Sequence, residues 1–268
     1  MQNLSINHTI AIEATIEASK EIMRIYSKPF DKALKKDGSP VTEADLASSR
    51  IISSFLSKSN IPIICEEIDV ESYEKRKTWN SFWLVDPLDG TKEFINGNGE
   101  FAINIALLEK NEPIFGIVCS PVQELILLGG KEIGVFIFNF NDAHNSDAWQ
   151  EINNKPINNP ITIATSRRHS SSKDILFFHE LQVKFGKTQF IEKGSALKFI
   201  DLALGKADLY PRFAPTMEWD TASGHAIISA LGGVIIHPET RKSLTYNKED
   251  LHNPHFIAKT KAFLLADV

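Results

Sequence analysis

The sequence predicts a layered fold of mixed helices and strands. Three observations carry this. Two amphipathic helical stretches open the 268-residue chain, a series of short β-rich runs fills residues 61–138, and helices alternate with strands from residue 161 onward. A chain of this length can bury a full core, as one large domain or as two lobes. Helices and strands mixed throughout point to α/β layers rather than a bundle or a sandwich of sheets alone.

Taken in order, residues 5–26 place Ile6, Ile10, Ala14, Ala18, Ile22 and Ile25 at spacings of three and four, so an amphipathic helix is expected, ended by Pro29. "KALKKDGSPVT" reads as a polar turn. Residues 42–57 form a second helix, with Thr42 as N-cap and Ala44, Ala47, Ile51 and Phe55 as its stripe. The runs "IPIIC", "SFWLVD", "FAINIALLE", "PIFGIVCS", "QELILLGG" and "GVFIF" lie so close together that a largely antiparallel sheet is expected. Residues 139–160, rich in Asn, Asp and Pro, are the expected loop between an N-terminal lobe (1–158) and a C-terminal lobe (159–268). Beyond it, "ITIAT" is a strand, 171–186 a helix, 195–205 a helix stopped by Gly205, "ADLYPRF" a strand, 220–231 a helix of small residues and "GGVIIH" a strand.

Composition narrows the function. Apolar residues make up 43% and charged residues 24%, ordinary for a globular chain, and the net charge is −5. Nothing resembles the basic stripe of a nucleic-acid binder, so no nucleic-acid partner is expected. Cys65 and Cys119 are too few for a disulfide framework. Glu13, Glu17 and Glu21 interrupt the N-terminal region where a secretory leader needs an apolar run, and no window is long and apolar enough for a transmembrane span. A cytoplasmic protein is expected. No basic amphipathic helix argues for the membrane surface, yet a peripheral contact at the cytoplasmic face of the inner membrane stays open. A monomer is favoured over an oligomer. "EKRK" (74–77) reads as a solvated face, and Trp79 and Trp83 as packing residues.

The chemistry concentrates where apolar runs end in acids. In "FWLVDPLDGTKEF" the run stops at Asp86, and Asp89 follows across an apparent turn made by Pro87 and Gly90. Two carboxylates aimed at one spot repel unless a proton or cation separates them. Hard cations such as Mg²⁺ suit such oxygens, and the Leu88 carbonyl lies between the two acids. "ICEEID" ends a second run in Glu66 and Glu67, "PTMEWDTASGHA" puts Asp220 at the start of a small-residue helix, and "KKDGSPVTEAD" puts Asp45 three residues after Thr42. Each has an ordinary reading alone: an Asp-rich β-turn, a solvated acid pair, an N-cap, a capping box. Together they supply oxygen ligands for two or three Mg²⁺ ions.

"CEE", "WLVDPLDGT" and "EWDTASGHA", in that order, resemble the signature of the inositol monophosphatase superfamily of Mg²⁺-dependent, lithium-sensitive phosphatases. The likeness covers nearly the whole chain. "DGSPVTEAD", "DPLDGTKEF", "GSALKF" and "DLYPRFAPTMEWDTASGHA" are most similar to its bisphosphate-nucleotidase branch. This resemblance implies an α-β-α-β-α sandwich and hydrolysis of adenosine 3′,5′-bisphosphate, a phosphorylated nucleotide and by-product of sulfate assimilation, to AMP and phosphate. It implies metal ligation by Glu66, Asp86, the Leu88 carbonyl, Asp89 and Asp220. Thr91 and Asp45 would help to activate the attacking water, and Glu67 would support the ligands from behind. Glu66, Leu88, Asp89, Gly90, Thr91 and Asp220 would also meet the substrate, with His169 of "TSRRHSS" and Gly194, Ser195 and Lys198 of "KGSALKF" on the nucleotide. Cys65 departs from the Ser or Gly usual at its position.

Three other readings compete. A haloacid-dehalogenase-type phosphatase needs Asp-x-Asp-Gly-Thr, one residue shorter than the spacing here. An inositol-phosphate or fructose-bisphosphate phosphatase shares the acid set, so only residues 165–215 separate it, and "GSALKF" with "YPRF" favours the nucleotide. A non-catalytic sensor of phosphorylated metabolites would bind without releasing phosphate.

Overall fold

The computed structural model describes residues 4–35, 38–167 and 172–267. Helix α1 (Ile6–Tyr26) is capped by Ser5 and buries Ile10, Ala14, Ala18, Ile22 and Ile25. Ile6, the first member of the expected stripe, is exposed at the helix start. A short antiparallel pair, β1 (Lys32–Leu34) and β2 (Pro40–Thr42), replaces the plain turn expected between the helices. Helix α2 (Glu43–Leu56) begins with the expected Thr42 N-cap, and Asp45 completes the capping box.

A seven-stranded sheet follows: β3 (Ile63–Cys65), β4 (Ser81–Asp89), β5 (Ala102–Glu109), β6 (Glu112–Ser120), β7 (Leu125–Gly130), β8 (Gly134–Asn139) and β9 (Gln150–Glu151), side by side in that order. Every pairing is antiparallel except β3 with β4. The period-two alternation fills both faces. Trp83, Val85, Ile103, Ile105, Phe115 and Ile117 pack with α1 and α2. Phe82, Leu84, Ala106, Leu108, Val118 and Leu127 join the opposite core. Helix α3 (Tyr73–Arg76) precedes β4, and α4 (Thr91–Ile95) follows it.

A five-stranded sheet comes from the second half: β10 (Ile161–Thr165), β11 (Thr188–Glu192), β12 (Leu209–Arg212), β13 (Val234–Ile236) and β14 (Phe256–Lys259), in the order β11-β10-β12-β14-β13. Helices α6 (Leu197–Ala203) and α7 (Ala222–Ala230) lie between the two sheets, where Phe199, Ile200, Ile227 and Ile228 pack against both. Helices α5 (Ser172–Phe185) and α8 (Lys261–Ala266) cover the outer face through Leu181 and Phe263. The result is the expected helix–sheet–helix–sheet–helix stack.

The structure differs from the sequence reading in three places. Residues 139–160 are not a bare connector: β9 extends the first sheet, and Trp149 stacks on Phe138 with ring centroids 4.0 Å apart. "EKRK" is not wholly solvated: Arg76 is buried and donates to the Asn247 side chain at 2.7 Å and to the Lys248 carbonyl. Helix α6 starts two residues later than expected, because Ser195 sits in the left-handed region at φ 50° and breaks the helical path.

Candidate active site

The acidic stretch after "FWLV" is a strand end rather than a simple turn. β4 runs on to Asp89, and its register against β5 slips between Asp86 and Asp89. Pro87 lies in the slip. It has no N–H to give the ladder, so one residue bulges out. Asp86, wholly buried, turns back to accept from the Leu88 N–H at 3.0 Å. Gly90 then adopts φ 96°, and a Cβ there would lie 3.1 Å from the Glu100 carbonyl oxygen, so a glycine suits this turn on both counts. Thr91 opens α4 directly behind it.

Asp220 arrives from the other half of the chain. It sits in a 3₁₀ turn, Glu218–Asp220, ahead of α7, and its Oδ2 accepts from the Met217 N–H at 2.8 Å. It therefore closes that turn and is not the N-cap of the helix. Glu218, fully buried, holds the turn in place by accepting from the Asn247 N–H at 2.6 Å and the Lys248 N–H at 3.0 Å. Asn247 is tied in turn to Arg76, which links the turn to α3.

These elements bring Asp86, Asp89 and Asp220 together, with one carboxylate oxygen of each within 4.8 Å of the others. Burial raises Asp86 well above the usual carboxylate range, and the charges of Glu66, Asp89 and Asp220 raise it further. Asp220 is raised for the same reasons, burial first. Asp89 is pushed up to about 6 by burial, against the pull of Lys198 and of the Ala196 N–H. Three acids that resist ionising side by side are the donor set that a hard divalent cation relieves. All the donors are oxygens, so the residues present fit Mg²⁺ better than a softer metal.

Beside this triad, Thr91 Oγ1 donates to Asp45 Oδ1 at 2.8 Å, and the Leu88 carbonyl lies 3.5 Å from the same hydroxyl. The other oxygen of Asp45 takes the Thr42 N–H and hydroxyl at 2.8 and 2.5 Å. Asp45 thus caps α2 and holds Thr91 at once. Burial raises its pKa, and the Thr42 and Thr91 hydrogen bonds oppose the rise.

Glu66 and Glu67 stand slightly apart. Lys35 Nζ bridges them at 2.7 and 2.6 Å. Burial works against the Lys35 charge, but the two glutamates outweigh it and raise its pKa. Glu66 is close enough to act on Asp86 and Asp220, yet its carboxylate is shared with Lys35 and lies outside the triad.

A cavity of about 270 Å³ opens from Asp89 and Asp220 between Gly194, Ser195, Lys198 and Arg212. The Ala196 N–H donates to Asp89 Oδ2 at 2.5 Å, so the "KGSALKF" loop rests on the acidic centre itself. Lys198 is buried. It spends two bonds on the Ser195 and Lys193 carbonyls, and burial lowers its pKa to about 8. Arg212 donates Nη1 to Ser166 Oγ at 2.8 Å, while its Nε is buried with no partner among the described residues. His169, the remaining nucleotide candidate, lies outside the described residues. Sequence reasoning missed Lys35, Arg167, Arg212 and Glu100. Arg212 stood within the quoted "YPRF" and Lys35 within "KALKKDGSPVT", but nothing in their spacing sets them apart from surface cations.

The chain is a member of the inositol monophosphatase family: the family's model matches residues 5–267. Among its relatives, the "3′(2′),5′-bisphosphate nucleotidase CysQ" of Salmonella typhimurium is 39% identical over 251 residues, 89% of this chain and 94% of that one. The protein of the same name from Haemophilus influenzae is 32% identical over 90% of this chain and 88% of that one. The crystal structure of CysQ from Bacteroides thetaiotaomicron superposes with a TM-score of 0.84 at 35% identity, covering 94% and 96% of the two chains. An inositol monophosphatase of Thermotoga maritima shares the fold, with a TM-score of 0.74 at 22% identity over 95% and 92%. No described helix is long and apolar enough to cross a membrane.

Proposed function

We propose that this protein is a Mg²⁺-dependent 3′(2′),5′-bisphosphate nucleotidase that hydrolyses the 3′-phosphate of adenosine 3′,5′-bisphosphate to AMP and phosphate. One observation carries the reading: two acids of the triad, Asp89 and Asp220, share a cavity wall with Lys198 and Arg212, and the Arg212 Nε–H is buried without an acceptor among the described residues. A buried unpaired donor is costly, and an anion oxygen relieves it. A substrate with one phosphate at the acids and a second at the arginine uses both features. The relatives called bisphosphate nucleotidases, at 39% identity over most of their length, support the same substrate class.

Asp86, Asp89, Asp220, the Leu88 carbonyl and Glu66 would hold two or three ions, with Lys35 giving up Glu66. The bound ions supply a water of lowered pKa and offset the charge on the phosphate. Thr91 donates its hydroxyl hydrogen bond to Asp45 and so keeps its lone pairs for the attacking water. Buried Asp45, anchored by Thr42, fixes that rotamer. Gly90 and Thr91 line the phosphate, while the Gly194–Ser195 turn, Lys198 and Arg212 orient the nucleotide. Glu67 keeps hold of Lys35 when Glu66 is released. We assign Glu66, Asp86 and Asp89 to an N-terminal lobe (1–158) and Asp220 to a C-terminal lobe (159–268). We place the reaction in the cytoplasm, where two buried free thiols are at home.

Phosphate release from adenosine 3′,5′-bisphosphate and from myo-inositol 1-phosphate, side by side with Mg²⁺ and with added Li⁺, tests this. Mg²⁺-dependent, Li⁺-inhibited release from the nucleotide, far faster than from the inositol ester, is the expected result. The opposite preference would keep the metal site but move the protein to sugar-phosphate chemistry. Release from neither would leave a sensor.

A further inference from the structure

Glu100 belongs to none of the roles assigned above, yet it touches two parts of the site, the Gly194–Ser195 turn and Arg167. Its backbone is held on both sides. The neighbouring Phe101 is fully buried and packs edge-on against Phe94 and Tyr26, and the Glu100 N–H donates to Asn98 Oδ1 at 2.9 Å. Its carboxylate divides between two partners. Oε2 accepts from the Gly194 N–H at 2.8 Å, and Oε1 accepts from Arg167 Nη2 at 2.5 Å. The backbones meet as closely as they can: a Cβ at position 194 would lie 2.8 Å from the Glu100 carbonyl oxygen.

Between Gly194 and Ala196 stands Ser195, in a left-handed conformation that a residue with a side chain adopts at a cost. It is pinned from both sides by carboxylates, Glu100 through the Gly194 N–H and Asp89 through the Ala196 N–H. Asp89 belongs to the acidic centre, and Glu100 does not. Lys198 also holds the turn, through the Ser195 and Lys193 carbonyls, but it lines the cavity; Glu100 is the anchoring carboxylate that stands apart from the reacting groups. It also tethers Arg167, a half-exposed cation on the cavity wall. A bare carboxylate at the mouth of a phosphate site would repel its substrate. Here that charge is spent on a guanidinium and a backbone donor.

We propose that Glu100 is a positioning residue for substrate selection. By holding the Gly194–Ser195 turn and Arg167 at the cavity, it raises affinity for a nucleotide carrying a second phosphate, without entering the hydrolytic step. This rests on the bisphosphate reading above.

The test compares Glu100→Ala, Glu100→Gln and Arg167→Met with the unaltered protein. kcat and KM are measured for adenosine 3′,5′-bisphosphate and for 3′-AMP, which lacks the second phosphate, and affinity is measured for the product AMP, which keeps it. Turnover of the bisphosphate by the unaltered protein tests the underlying reading first, so its failure cannot be mistaken for failure of this one. For Glu100→Ala, KM for the bisphosphate should rise about tenfold and AMP affinity should fall about as much, from the loss of one charge-assisted and one backbone hydrogen bond. kcat should stay within about twofold, and KM for 3′-AMP should move less than KM for the bisphosphate. Arg167→Met should reproduce part of the effect, and adding it to Glu100→Ala should cost little more. Glu100→Gln keeps an acceptor for Gly194 and should recover part of the loss. Equal falls in kcat for both substrates would overturn the proposal in favour of a purely structural role. An unchanged or lowered KM in Glu100→Ala would overturn it too, because repulsion by the carboxylate would then outweigh its positioning.

Discussion

At the scale of single residues, Asp89 is pulled in opposite directions. Burial pushes its pKa up to about 6, with the Glu66 charge adding to the rise, yet it accepts the Ala196 N–H and faces Lys198. Asp89→Asn keeps an acceptor for Ala196 but removes a charge from the triad. Turnover should fall by about three orders of magnitude. Without added metal, the variant should melt no lower than the unaltered protein and by about 2–4 °C higher if 1 kcal/mol of repulsion is relieved. The rise in melting temperature on adding Mg²⁺ should largely vanish. Melts with and without Mg²⁺, read beside kcat, check all three, and near-normal turnover would remove Asp89 from the centre. The acids were legible in the sequence because each ends an apolar run, which is unusual for a carboxylate without a partner. Asp45 was legible as a capping residue and as a partner of Thr91, and it makes both contacts: one oxygen caps α2 and the other accepts from Thr91. Arg212 and Lys35 were not legible. A lone cation has no periodicity, and only folding shows that Lys35 meets two glutamates and that Arg212 buries its Nε.

At the scale of elements, the 3₁₀ turn ahead of α7 shows how local structure delivers an acid. Glu218 accepts two backbone N–H groups and the Lys248 ammonium, and burial raises its pKa against them. Glu218→Ala would strand those donors. It should cost about 2–4 kcal/mol of stability, measured by urea unfolding, and should lower kcat through displaced Asp220. A variant with full turnover would show that the turn keeps its shape unaided. The helices and most strands followed from apolar spacing, and the N-cap of α2 from Thr42 itself. The bulge in β4 and the late start of α6 did not. Both depend on tertiary partners, the β5 ladder in one case and the Asp89 carboxylate in the other, and local propensity carries no record of them. The same holds for Arg76, read as solvated until Asn247 closes over it.

At the scale of the whole molecule, the layers were predictable because short β-rich runs cluster in residues 61–138 and helices alternate with strands from residue 161 onward. How residues from the two halves meet in one cavity was not, since pairing across the stack leaves no local pattern. The middle layer also holds a pH-sensitive group. His225 of α7 is buried, with Nδ1 2.9 Å from the Tyr246 hydroxyl and Nε2 3.3 Å from Ser243 Oγ. Burial lowers its pKa to about 4, against an ordinary value near 6.5. As pH falls below about 6.5, the unfolded chain takes up a proton that the folded chain refuses. The stability due to neutral His225 is therefore complete above that pH and is lost progressively down to about pH 4. By pH 5 the loss should be about 2 kcal/mol. Urea unfolding at pH 7, 6 and 5 should show this slope as the difference between the unaltered protein and His225→Gln, and equal slopes would contradict it.

The acidic centre, with Asp45 beside it, is sewn from well-separated parts of the chain: Asp45 from the second helix, Asp86 and Asp89 from β4, and Asp220 from the entrance to α7. In time rather than space, this makes the centre a late arrival. Neighbouring hairpins close quickly, but α7 reaches the first sheet only after most of the polypeptide has found its place. After dilution from denaturant, hydrolytic activity should return more slowly than strand and helix signals. The enzyme's own turnover is then a clock for the last step of its assembly.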